Sequence, residues 1–152
     1  MKPNIENIVE IDALNMTQYF EMEGLQFDRN KRKKGIISEI DDGAQMATVV
    51  ADNKIVAYFE FISMGPEICK ICSIQVHPEY QDKYVLRRLI KNTYTLVKKS
   101  QHNIFLSATH ALNKKSIKFH QQLGFSITYQ DEKKILFEIS THKFKENLYK
   151  FL

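Results

Sequence analysis

The chain reads as an α/β domain with a mixed, mostly antiparallel sheet flanked by helices. Two observations predict it. Across residues 71–125 an apolar β-branched run, an amphipathic stretch, a second short apolar run and a second amphipathic stretch follow in turn. Strand, helix, strand, helix at that spacing asks for a right-handed crossover between neighbouring strands. On either side of this block, paired β-rich runs flank Asp52-Asn53 and Asp131-Glu132, and such hairpins add antiparallel pairs to the one crossover.

The first 43 residues are the least patterned. Ile8, Ile11, Leu14 and Tyr19-Phe20 suggest an early helix with Asp12 near its start, interrupted at Gly24 before a second helix near residues 25–34. Arg29, Lys31, Arg32, Lys33 and Lys34 form a basic run. It reads as a solvated face and C-terminal turn, where cations complement the helix dipole. No aromatic residues interleave with these charges, which argues against a nucleic-acid surface.

Residues 46–51 and 55–62 form the first hairpin, turning at residues that tolerate left-handed backbone. Gly65-Pro66 turns the chain again, and Glu67 begins the next strand. That strand runs through residues 71–76 and stops at His77-Pro78, because proline removes a ladder donor and restricts its predecessor. Val85, Leu86, Leu89, Ile90, Tyr94 and Val97 then share one helical face. Residues 103–108 read as a strand, and residues 113–123 as a helix that Asn113 caps and Gly124 ends. Ser126–Gln130 and Lys134–Ser140 form the second hairpin. Phe144, Leu148, Tyr149 and Leu152 mark a terminal helix, docked on the core or, if exposed, serving a homodimer.

Bulk properties narrow the function class. With 152 residues and 43% hydrophobic content, one domain can bury a sizeable core. No apolar run approaches a membrane span and no leader is visible, so a soluble cytoplasmic protein is expected. A net charge of +4 allows an anionic ligand without demanding nucleic acid. Cys69 and Cys72 make a C-x-x-C that lacks the two further ligands zinc needs, and on a strand they face opposite sides. No metal site is expected.

The order VHPEYQ, amphipathic helix, IFLSAT, then NKKSIKFHQQLGF resembles the GNAT superfamily of acyl-CoA-dependent N-acyltransferases over roughly sixty residues. The resemblance implies transfer of an acetyl or short acyl group from acetyl-CoA to a primary amine, small-molecule or peptide, by direct attack. It implies that the edge at Ile74, Gln75 and Val76 pairs with the pantetheine amides. Gln81, Asp82, Lys83, Tyr84, Val85, Leu86 and Arg87 would face the pyrophosphate, and Asn113 and Ser116 the pantetheine arm. His120 stands where the family has a tyrosine that protonates the leaving thiolate, and a histidine can donate a proton there. The family's acidic residue on the central strand is replaced by Cys72 and Ser73, leaving Glu67 and Glu60 as bases by strand position. The family's loop glycines are replaced by Tyr84 and Leu86. These departures also define a rival reading, a non-catalytic module of the same fold that binds CoA or a protein.

Overall fold

In the computed structural model, which describes residues 4–152, each helix begins where a short polar side chain accepts from a first-turn amide. Asn4 caps α1 (Ile5–Met22), Asp28 caps α2 (Arg29–Asp41) and Asp82 caps α3 (Lys83–Val97). Asn113 caps α4 (Lys114–Gln122), and Ser140 caps α5 (Thr141–Lys150). No helix among the described residues is long and apolar enough to cross a membrane.

Two N-terminal expectations are corrected. Asp12 does not start α1; Asn4 does, and Asp12 is a buried mid-helix residue. The second helix begins at Arg29 rather than Leu25, because Asp28 supplies the cap, and it runs to Asp41 with Ile36 fully buried beneath it. The basic run therefore occupies the first turns of α2, and Arg32 points inward.

The strands are β1 (Gln45–Ala51), β2 (Lys54–Ser63), β3 (Ile68–Val76), β4 (Ile104–His110), β5 (Ser126–Gln130) and β6 (Lys134–Ser140), in the sheet order β1-β2-β3-β4-β6-β5. All neighbours are antiparallel except β3 and β4, which run parallel with α3 as their connection. The first hairpin turns on Asp52 and Asn53, both at positive φ, the backbone a two-residue turn requires.

One sheet face carries the larger core, where Phe59, Phe61, Phe105, Phe137 and Phe144 meet Leu89 of α3 and Leu148 of α5. The terminal helix thus docks through Phe144 and Leu148, while Tyr149 and Leu152 stay exposed. The other face packs Ile55 and Tyr58 against Ile8, Val9 and Ile11 of α1 and Ile36 of α2.

The sheet carries three register shifts, and the one between β2 and β3 bears on the site. Glu60 pairs with Ser73 but Phe61 pairs with Ile71, so Cys72 is an extra residue on β3. A bulge of this kind bends its strand and increases the local twist. Pairing between β3 and β4 is confined to Ile68–Lys70 against Ile104–Leu106. Beyond the bulge the two strands part.

Gly124 closes the α4 end at φ +91, and a Cβ there would sit 2.2 Å from Asn147 Nδ2, which donates to Leu123 O. Gly124→Ala is expected to cost about 2 kcal/mol or more, from left-handed strain plus the clash. A denaturant midpoint indistinguishable from wild type would show that Asn147 moves aside freely.

Candidate active site

The parting of β3 and β4 opens a cleft of about 810 Å³. It is lined by Ile74, Gln75 and Val76 of β3, by Gln81 and Asp82 ahead of α3, by Lys83, Leu86 and Leu89 of α3, and by Lys114, Lys115 and Phe119 of α4. From the other face α1 contributes Leu14, Asn15, Gln18 and Tyr19.

The exposed strand edge is a set of unpaired backbone groups. His77 N–H donates to Val56 O at 2.7 Å across the β2 side. Successive strand residues direct their amides to opposite edges, so the amides of Val76 and Ile74 face the cleft. Val76 O is met by two side-chain amides, Asn15 Nδ2 at 3.0 Å and Gln81 Nε2 at 3.5 Å. Asn15 Nδ2 also donates to Gln75 Oε1 at 2.9 Å. An extended ligand carrying amides finds here the partner that β4 supplies further back.

Of the residues the sequence assigns to donor binding, Ile74, Gln75, Val76, Gln81, Asp82, Lys83, Leu86, Asn113 and Ser116 line the cleft. Tyr84, Val85 and Arg87 do not. Tyr84 points outward with the Arg88 guanidinium 5.5 Å from its ring centre, Val85 is buried in the core, and Arg87 lies on the exposed side of α3. Sequence reasoning missed the α1 contribution. Asn15, Gln18 and Tyr19 follow at spacings of three and four on one helical face, a signal that needs α1's boundaries to be read.

Two assignments require correction. Glu67 is exposed just ahead of β3, where its carbonyl accepts from Asn103 N at 2.8 Å beside the paired end of β3 and β4. The cleft opens at the far end of that strand, so Glu67 cannot serve it. His120 is buried, its ring stacked on Phe137 with centroids 4.3 Å apart. Its Nδ1 lies 2.7 Å from the Ser116 carbonyl and must carry the proton, so Nε2 accepts from Ser107 Oγ–H at 2.7 Å. Burial lowers its pKa, opposed in part by the Ser116 carbonyl. Both nitrogens are spent inside the core, and no proton is presented to the cleft.

A second polar group lies under α1 and α2. Arg32 Nε meets Asp12 Oδ2 at 2.6 Å, and its Nη1 meets Glu39 Oε1 at 3.1 Å. Tyr58 OH donates to Asp12 Oδ1 and lies 3.0 Å from Ser73 Oγ. Burial works against Arg32's charge, but Asp12 beside it keeps the guanidinium protonated. Glu60 is fully buried, with neither carboxyl oxygen hydrogen-bonded and Arg32 Nη2 3.6 Å away. Burial first, and then neighbouring Glu39, push Glu60 up to about 8. Cys72 adjoins these two acids, while Cys69 packs in the large core on the opposite face.

The site thus combines an open six-stranded sheet, one parallel pair whose strands part, and a helix that starts beside the opening. Residues 8–125 match the acetyltransferase (GNAT) family, and the chain belongs to it. A comparison with curated proteins gave no match. Among solved structures the fold is similar to aminoglycoside 6′-acetyltransferase type Ii, at 13% identity and TM-score 0.68, covering 90% of this chain and 89% of that one. It is similar to the PaiA N-acetyltransferase of Thermoplasma acidophilum in complex with coenzyme A, at 17% identity and TM-score 0.68, covering 90% and 92%. It is also similar to Campylobacter jejuni N-acetyltransferase PseH in complex with acetyl coenzyme A, at 18% identity and TM-score 0.58, covering 88% and 89%.

The Glu60 shift predicts a pH signature. Between its ordinary value of 4.5 and about 8, the unfolded chain releases this proton while the folded chain keeps it. The folded state binds more protons there, so stability falls as pH rises through that window. Glu60→Gln, which cannot ionise, should melt higher than wild type at pH 9 and nearly level with it at pH 4.5, at about 3 °C per kcal/mol. Parallel melting profiles for the two proteins would mean that Glu60 is not protonated in the fold.

Proposed function

We propose that the protein transfers an acetyl or other short acyl group from acyl-CoA to a primary amine by direct attack. The observation that carries this reading is the unpaired β3 edge at Ile74 and Val76, which forms one wall of a cleft between α3 and α4. The pantetheine arm would displace the Asn15 and Gln81 amides and pair with that edge. Asn113 and Ser116 flank its path, and the acceptor enters past Asn15 and Tyr19 of α1.

The chemistry asks little of side chains. The neutral amine adds to the thioester carbonyl, the tetrahedral adduct expels the thiolate, one proton leaves the nitrogen and one reaches sulfur. Among the described residues Asp82 is the one carboxylate lining the cleft; its Oδ1 accepts from Val85 N–H at 2.9 Å and its Oδ2 has no partner. Acceleration rests chiefly on holding the reactants in line. The buried His120 favours a second reading, a module that binds acyl-CoA without turning it over.

Acetyl-CoA is expected to raise the melting temperature in a concentration-dependent way, by an amount equivalent to about 2.7 kcal/mol at a hundredfold excess over Kd. Thiol release with a panel of amines then separates enzyme from module. Turnover should rise with pH until the amine is deprotonated and should show no limb from His120. A melting curve unmoved by acetyl-CoA rejects donor binding, and a shift without thiol release from any amine selects the module. His120→Ala should lose about 3 kcal/mol of stability, as large-to-small changes in a core do. A stable His120→Ala protein with abolished turnover would restore a chemical role.

A further inference from the structure

We propose that Glu39, Glu60 and Cys72 form a binding site for a zinc-like divalent cation, on the sheet face opposite the large core and outside the cleft. The proposal stands apart from the acyl-CoA reading. Glu39 comes from α2, Glu60 from β2 and Cys72 from β3, yet one oxygen of each acid and the Cys72 Sγ all lie within 4.8 Å of one another. A zinc ion held at about 2.0–2.3 Å keeps its ligands roughly 3.5 Å apart, so small side-chain movements close the three around it. Glu60 is the independent observation that points to a ligand. Its side chain is fully buried, and neither of its oxygens has a hydrogen-bond partner among the described residues. Glu39 Oε2 beside it is buried and unpartnered too. Buried polar groups are nearly always hydrogen-bonded, because leaving water without a new partner is costly.

Charge points the same way. Asp12, Glu39 and Glu60 face a single guanidinium, that of Arg32, which meets Asp12 Oδ2 at 2.6 Å and Glu39 Oε1 at 3.1 Å. Its Nη2 stands 3.6 Å from Glu60 Oε1, too far for a hydrogen bond. Arg32 thus engages one Glu39 oxygen and leaves the other, with both of Glu60, for a cation. In the metal-free protein a proton on Glu60 meets part of the charge excess, and the ion displaces it. The bulge supplies the sulfur. Ile71 and Ile74 both pack towards the large core, whereas in an unbroken strand they would take opposite faces. Cys72 and Ser73 between them therefore turn together to the other face, Ser73 to Tyr58 OH at 3.0 Å and Cys72 to the two acids. The C-x-x-C spacing plays no part, since Cys69 is packed in the large core. A thiolate with two carboxylates suits zinc better than magnesium or calcium, which take oxygen ligands. Glu39 and Cys72 are half-buried, so an ion enters from their side and water fills its fourth position. Bound there, it ties α2 and β2 to the β3 bulge.

The test is calorimetry and thermal melting on the full chain after chelator treatment, with zinc chloride as titrant. One zinc should bind per chain and raise the melting temperature with its concentration, and magnesium chloride at the same concentration should not. Cobalt(II), which occupies zinc sites and reports their ligands, should give a thiolate-to-metal charge-transfer band in the near ultraviolet. Glu60→Gln and Cys72→Ser should each weaken zinc binding about tenfold or more, and Cys72→Ser should abolish the band. Cys69→Ser, whose sulfur lies on the other face, should keep both. Melting curves without metal show that each variant is folded, and Glu39→Gln replaces either site variant that is not. Failure of wild type to bind zinc overturns the proposal. So does equal binding by wild type, Glu60→Gln and Cys72→Ser, the pattern of ions held by surface histidines such as His142. A cobalt band lost in Cys69→Ser but kept in Cys72→Ser overturns it as well.

Discussion

Two parallel strands that begin paired and then part organise most of this molecule. Parallel strands need a long crossover, and here α3 supplies it. At the β3 bulge the extra residue Cys72 re-aims the strand, and pairing with β4 stops at Lys70 and Leu106. The opening leaves backbone groups without strand partners. Two devices tolerate this: side-chain amides from Asn15 and Gln81 reach Val76 O, and the cleft admits water. A ligand with amides of its own replaces both. The site is thus a property of the sheet before it is a property of any catalytic side chain.

The face opposite the large core is held differently. Asp12, Arg32, Tyr58 and Glu39 form one connected network that ties α1 and α2 to β2, and Tyr58 extends it to Ser73 at the bulge. Removing one partner of such a network strands a buried charge, so its members stand or fall together. Glu60 lies beside them, its carboxyl pushed up to about 8 by burial and by Glu39. The same face presents α1 to the cleft, so the network that fixes α1 also fixes where Asn15 and Tyr19 stand.

Legibility in the sequence followed the reach of local rules. Both hairpins, the crossover block and the α4 stop were readable because turn residues, period-two runs and a C-terminal glycine act over a few positions. That Ile74, Gln75 and Val76, Gln81–Lys83 and Asn113 gather around one cleft, and that Asn113 caps a helix, were readable through motif order. What was not readable depends on distance across the fold. Arg32 looked like one cation in a solvated run, and only α2's true register turns it towards Asp12, twenty positions earlier. Glu67 shares a strand region with the cleft, but β3 is long enough to put it at the wrong end. The α1 lining could not be read before its helix had boundaries.

His120 shows most clearly how a motif can keep its frame and lose its chemistry. The positions from Asn113 to Phe125 keep their structural duties: cap, core contacts, glycine stop. An imidazole is shorter than a phenol, and here it ends within the core, bonded to Ser107 and the Ser116 carbonyl. With His120 withdrawn, the carboxylate that lines the cleft among the described residues is Asp82, whose Oδ1 caps α3 while its Oδ2 has no hydrogen-bond partner. The acceptor's own ionisation then sets the supply of nucleophile. An α-amino group ionises near 8 and a lysine side chain near 10.4, so at neutral pH the former offers roughly a hundredfold more neutral amine. Under the proposed acyl transfer, an acceptor of low basicity would reach the cleft with more of its amine neutral.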